Sequence, residues 1–170
     1  MRTFLTITEH DLCELIDQAR QRVIYVGAGI SEKVADGVVR FLATSENGSA
    51  ELIVDSDPEV FRLGYGEFGA LEKLRKSDVF IRKAQGIRIN ILIVDDKAYV
   101  YSPTPLVIEA PSQGFRPNAI SIGVRQAEEL IQAICPEQHD KKLRVVSLNN
   151  TPEIGAESFT ESDMKSIKAN

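Results

Sequence analysis

Residues 86–105, GIRINILIVDDKAYVYSPTP, constrain this chain most. Isoleucine recurs at every second position (Ile87, Ile89, Ile91, Ile93), the run breaks at Asp95-Asp96-Lys97, and apolar residues resume as Ala98-Tyr99-Val100-Tyr101. Alternation of β-branched residues on either side of a short polar break predicts two antiparallel strands joined by a tight turn. Side chains on a strand alternate between its faces, so Arg88 and Asn90 share the face opposite the isoleucines. The far end of the first strand delivers Asp95 to the turn. A strand of this kind carries polar groups over an apolar underside.

The same stretch resembles the phospholipase D-like phosphodiesterases. Their motif reads His-x-Lys, four residues, Asp, then six residues to a Gly-Ser-x-Asn cluster. Laid on this sequence, the histidine falls on Arg88, the lysine on Asn90 and the aspartate on Asp95. The cluster falls on Ser102, Pro103, Thr104 and Pro105. The apolar framework and the Val-Asp-Asp-Lys turn fit, while Asp95 alone survives of the chemical residues. The resemblance implies a scaffold, a phospholipase D-like α/β/α sandwich with a mixed central sheet, without its active site. In the family the histidine attacks phosphorus, and a second histidine protonates the leaving oxygen. Arginine stays protonated at any ordinary pH, so Arg88 offers neither a lone pair nor a proton to relay. Asn90 lacks the positive charge that lysine gives a phosphoryl transition state. Pro105 has no polar side-chain atom. No catalytic residue is expected here.

Composition sets the outer bounds. A chain of 170 residues, 43% hydrophobic and 26% charged, buries one good core, as an ordinary globular domain does. A net charge of −5 argues against non-specific nucleic-acid binding by the whole surface, though not against a local basic patch. No apolar run reaches the length of a membrane span, and the start lacks the apolar core of a secretion signal. Cys13 and Cys135 lie on apolar faces of helix-like stretches and read as buried thiols in a reducing cytoplasm.

Taken in order, Thr8 and Asp11 form a capping-box pattern ahead of a helix over about 9–21. RVIYVGA (22–28) reads as a buried strand, and Ser31 caps a helix facing inward through Val34, Val38, Phe41 and Leu42. AELIVD (50–55) is the next strand. Gly64, Gly66 and Gly69 predict an irregular or broken helix between 57 and 76, firmest from Ala70. DVFIRKA (78–84) precedes the hairpin, and LVIEA (106–110) extends it. Asn118 is read as the cap of a last strong helix with Ile120, Val124, Ala127, Ile131 and Ile134 on one face. Residues 1–136 thus read as one phospholipase D-like domain. Residues 137–170 read as a charged linker, a strand at 142–150, and a helix opened by Thr160 and Asp163. The expectation is an extension toward a following module of a longer protein.

Other candidate sites carry competing readings. Gly27-Ala28-Gly29-Ile30-Ser31 lies between a strand and a helix, in the order of a dinucleotide-binding unit, with Asp55 ending the next strand. Glu32 stands where a third glycine belongs and would repel a pyrophosphate, so a tight strand-to-helix turn is the favoured reading of Gly27, Gly29 and Ser31. Arg88 either holds an anion or pairs with Asp95 or Asp96, the pair being favoured for its nearness in sequence. Lys73, Arg75, Lys76, Arg82 and Lys83 form a basic cluster that serves as a nucleic-acid or phosphate surface or as solvated charge. Interleaved aromatics are few, namely Phe68, Phe80 and Tyr99. His10 and His139 have no spaced partner for a metal, and Asp55, Asp57 and Glu59 read as a solvated loop. No cofactor or metal is expected.

In active members with one motif per chain two copies pair, so the resemblance implies a homodimer through the 86–105 face. The leading expectation is a non-catalytic interaction, dimerisation or regulatory module. A phosphodiesterase or nuclease built around Arg88, Asp95, Ser102 and Thr104 is the competing one, and nucleotide binding at Gly27–Ser31 the third.

Overall fold

The structure, a computed structural model, describes residues 3–103, 116–134, 154–155 and 157–169. In chain order the elements are β1 (Phe4–Leu5), α1 (Glu9–Asp17), β2 (Arg22–Gly27), α2 (Glu32–Thr44), β3 (Ser49–Asp55), α3 (Pro58–Arg62) and α4 (Phe68–Lys76). There follow β4 (Ile81–Ala84), β5 (Asn90–Val94), β6 (Lys97–Tyr101), β7 (Ala119–Ile122), α5 (Val124–Ile134), β8 (Glu157–Ser158) and α6 (Glu161–Ala169). The strands form one mixed sheet in the order β1-β7-β6-β5-β2-β3-β4-β8. β2, β3 and β4 run parallel, while every other neighbouring pair is antiparallel. The chain is therefore an α/β protein with a mixed central sheet.

The centre of that sheet is apolar on both faces because its strands alternate between two cores. Val23, Tyr25, Leu52, Val54, Leu92 and Val94 face one side, where they meet Ile16, Val34, Val38, Leu71 and Leu74 of the helices. Ile24, Val26, Ile53, Ile91 and Ile93 face the other and meet Ala127, Ile131 and Ile134 of α5. Helices cover both faces. Each fully buried aliphatic side chain stabilises the fold by about 1.5–3 kcal/mol relative to exposure, so these interleaved sets fix the strand register.

Local chemistry sets the helix starts. Thr8 and Asp11 close a reciprocal capping box on α1, and Ser31 accepts from the Val34 N–H on α2. The glycine-rich stretch breaks as expected into α3 and α4. Thr160 and Asp163 close a second reciprocal box ahead of α6.

Three expectations are corrected. The helix read as starting at Asn118 begins at Val124, because residues 119–122 pair as β7 between β1 and β6. Asn118 does not cap that helix. Its side chain accepts from the Ile7 N–H at 2.8 Å and donates to the Ile7 and Ser102 carbonyls, tying β1's exit to the end of β6. The strand read over 78–84 begins at Ile81, since Asp78 takes a left-handed turn conformation at φ 56°. The isoleucine alternation holds at Ile87, Ile91 and Ile93 but fails at Ile89, which is 48% exposed, because β5 starts only at Asn90.

The described part of residues 137–170 joins the same sheet and core. β8 pairs with β4 through Arg82 opposite Ser158 and Lys83 opposite Glu157. Phe159, Met164 and Ile167 enter the first core. Residues 106–110, 142–150, Thr104, Pro105, Cys135 and His139, to which the sequence reading gave roles, lie outside the described residues.

Candidate functional site at the rim of the parallel strands

β2, β3 and β4 all end on one rim of the sheet, where antiparallel β5 begins and β6 ends. Open α/β sheets place ligand crevices outside the carboxyl ends of their strands, and in this chain those ends meet at this rim. Strand order dictates what covers it. β4 lies on one side of the β2–β3 pair and β5 on the other, so residues 85–89 must cross the ends of β3 and β2.

Asp55, the last residue of β3, anchors that crossing. Its carboxylate is fully buried and accepts from the Asp57 N–H at 2.9 Å, the Gly86 N–H at 3.0 Å and Arg88 Nη1 at 2.8 Å. A buried carboxylate needs such partners, since leaving the charge unpaired is costly. Arg88 therefore pairs with Asp55, and the sequence reading that gave it Asp95 or Asp96 is corrected. Nearness along the chain misled there, because β5 carries residues 88 and 95 to opposite rims.

Asn90 follows, 3% exposed, with its side chain pointing at the end of β2. Its Oδ1 accepts from the Ala28 N–H at 3.1 Å, and its Nδ2 donates to the Tyr25 hydroxyl at 3.4 Å. The Tyr25 hydroxyl in turn donates to the Gly29 carbonyl at 2.6 Å. A Cβ at Gly27 would meet the Asn90 amide at 3.0 Å, so a larger residue there would press on the asparagine. Tyr101, opposite Asn90 on β6, completes the group. Burial pushes its phenol up to about 12, Asn90 and Tyr25 offsetting part of that rise. Its hydroxyl is nonetheless buried without a hydrogen-bond partner at bonding geometry. Burial also raises the Tyr25 phenol, reinforced by the neighbouring Tyr101.

Asp95 works at the other rim. Its carboxylate accepts from the backbone N–H groups of Arg20, Gln21 and Arg22, and Arg22 Nε donates to its carbonyl at 2.9 Å. Burial raises its pKa, but these donors outweigh that and hold it below the ordinary carboxylate value. Its φ of 54° is one that aspartate tolerates in a tight turn. Asp95 thus clamps the α1–β2 connection to the hairpin, and Arg88, Asn90 and Asp95 do not converge. Ser102 lies near the upper rim, its N–H donated to the Asn118 carbonyl at 2.8 Å.

The turn Gly27–Ser31 is filled by the chain itself. A Cβ at Gly29 would lie 2.6 Å from the Tyr65 carbonyl, and Glu67 N–H donates to the Ile30 carbonyl. The Glu67 carboxylate accepts from the Glu32 N–H at 2.7 Å, occupying the start of α2 where an incoming phosphate would bind. Ser31 serves the helix as a cap.

The basic cluster is dispersed among acidic partners. Lys73 pairs with Asp36 and Glu32, Arg75 with Glu161, and Lys83 with Asp163 and Glu157. Arg82, on the opposite face of β4 from Lys83, is buried against Glu51 and the Gly155 carbonyl. Lys76 stays exposed at the end of α4. The five cations do not share one surface. Asp57 caps α3 and Glu59 pairs with Arg62, as a solvated loop would have it, but Asp55 departs from that reading, being fully buried against Gly86 and Arg88. Among the described residues no cluster of His, Cys, Asp and Glu is placed to hold a metal, and no helix is long and apolar enough to cross a membrane.

Sequence reasoning missed Tyr25 and Tyr101 and gave Arg88 the wrong partner. The tyrosines read as strand apolar residues, and only the pairing of β2, β5 and β6 brings their hydroxyls to Asn90.

The rim and the sheet define an α/β domain. No family model matches the sequence, and no curated protein matches it. A solved structure of TrmBL2, an archaeal chromatin protein described as showing a novel mode of DNA binding, is similar to it at a TM-score of 0.48 and 10% identity. The match covers 82% of this chain and 52% of that one, so the chain spans about half the length of that protein.

Proposed function

We propose that this chain is a non-catalytic phospholipase D-like module that makes protein contacts in the cytoplasm. One observation carries the reading. The polar groups at the motif positions are bonded to the fold: Arg88 to Asp55, and Asn90 to Ala28 and Tyr25. Phosphoryl transfer needs a nucleophile and donors aimed at an incoming oxygen. Here the crossing segment 85–89 lies over the strand ends, and the buried Asp55 carboxylate beneath it already holds the Arg88 guanidinium. What the rim offers outward is Ile89, with exposed Gln85, Gly86 and Arg88 around it. A second copy of the chain is the partner that the family's habit of pairing suggests, meeting through this rim, since both faces of β5 are buried in the cores.

Hydrolysis of bis(p-nitrophenyl) phosphate tests the catalytic half of the reading. No turnover above buffer is expected, whereas turnover lost in Arg88→Ala would overturn it. Light scattering coupled to size exclusion tests the other half. A dimer converted to monomer by Ile89→Asp is expected, and a monomer at all concentrations removes the rim as a self-contact.

A further inference from the structure

The outer surface of α4 and α6 holds a groove of about 420 Å³ that uses neither Arg88 nor Asn90. Buried Met164 and half-buried Phe68 are its apolar residues. Arg75, Lys76, Lys165 and Lys168 supply four cations against two carboxylates, Glu72 and Glu161. Arg75 and Glu161 pair with one another, and Lys168 lies over the Phe68 ring at 5.8 Å. That leaves Lys76 and Lys165 exposed and without an ion pair among the described residues. A net positive groove on a chain of net charge −5 is a local arrangement, not a consequence of composition.

We infer that this groove docks a short acidic segment of a partner protein, seating one apolar side chain against Phe68 and Met164 while its carboxylates meet Lys76, Lys165 and Lys168. A peptide fits the groove better than a nucleic-acid strand. Among the described residues the groove offers Phe68 as its one aromatic ring, so successive bases of a strand would have no second ring to stack on. Glu72 and Glu161 would also repel a continuous line of phosphates, whereas a peptide can place carboxylates selectively around them. This inference is independent of the proposal for the rim.

The test is fluorescence anisotropy with a labelled ten-residue Asp/Glu-rich peptide bearing a central leucine, in parallel with a single-stranded oligothymidine of equal charge. The full chain is expected to bind the peptide more tightly than the oligonucleotide. The Lys76→Glu/Lys165→Glu/Lys168→Glu variant should weaken peptide binding by at least about tenfold. Phe68→Ala, with its helix content checked by circular dichroism, should weaken the leucine peptide but not a leucine-to-serine version of it. No peptide binding at millimolar concentration, or binding indifferent to the charge reversals, would overturn the inference. Tighter oligonucleotide binding lost in the same variant would overturn it too, making the groove a nucleic-acid surface.

Discussion

Arg88 Nη1 lies 2.8 Å from Oδ2 of Asp55, a residue 33 positions earlier on a strand that is not even adjacent to β5. The contact follows from topology. A chain passing from β4 to β5 has to cross the end of β3, and Asp55 is that end. Its carboxylate holds both the backbone of the crossing at Gly86 and the side chain at Arg88.

Asn90 is the next test of how closed the rim is. The residue the family resemblance would put there is lysine, and this packing has no room for it. Asn90→Lys puts an ammonium where the buried amide now meets Gly27, the Ala28 N–H and the Tyr25 hydroxyl, so a loss of about 3 kcal/mol or more is expected. Asn90→Ala, which leaves the Ala28 N–H without its acceptor, should cost about 1–3 kcal/mol. Urea denaturation of both variants measures this. A lysine variant as stable as the parent would mean that the rim is open.

Asp95 makes the stability of the fold depend on acid. Its folded pKa is lowered, so its contribution is present above the ordinary carboxylate value of about 4 and is lost as pH falls through the folded value. Asp95→Asn keeps a residue that tolerates positive φ but loses the charged acceptor, and should lower stability at pH 7 by about 1–3 kcal/mol. The gap between variant and parent should narrow below about pH 4. Thermal unfolding across pH 2–7 follows it.

Tyr101 governs the alkaline side. Its folded pKa is raised to about 12, so its share of stability is intact below the unfolded value of about 10. Between these limits the unfolded chain ionises first, and stability falls as pH rises. Tyr101→Phe should flatten that part of the alkaline limb. At pH 7 it should leave stability unchanged or raised, because the hydroxyl it removes is buried without a partner. A loss above about 1 kcal/mol at pH 7 would mean the hydroxyl is bonded.

Local patterns made much of this fold legible in the sequence. The hairpin around Asp95–Asp96, the strands at 22–27 and 49–55, and the boxes at Thr8/Asp11 and Thr160/Asp163 are each written in a few neighbouring residues. Failures came where tertiary pairing outweighed local preference. Asn118 looks like a helix cap, yet β1 and β6 draw residues 119–122 into the sheet. Ile89 fits an alternating strand, yet it belongs to the crossing. The candidate site was legible as a list of positions and not as a constellation. Sequence spacing suggested Arg88 beside Asp95, whereas a strand of five residues spans about 16 Å and sends them to opposite rims.

The account turns on Arg88 being bonded to the fold and not held ready for a ligand. A double-mutant cycle of Asp55→Asn and Arg88→Ala, followed by urea denaturation, measures that directly. The account predicts a coupling of about 1 kcal/mol or more, with the second substitution costing little once the first is made. Additivity within about 0.5 kcal/mol would contradict it, leaving the guanidinium free at the rim.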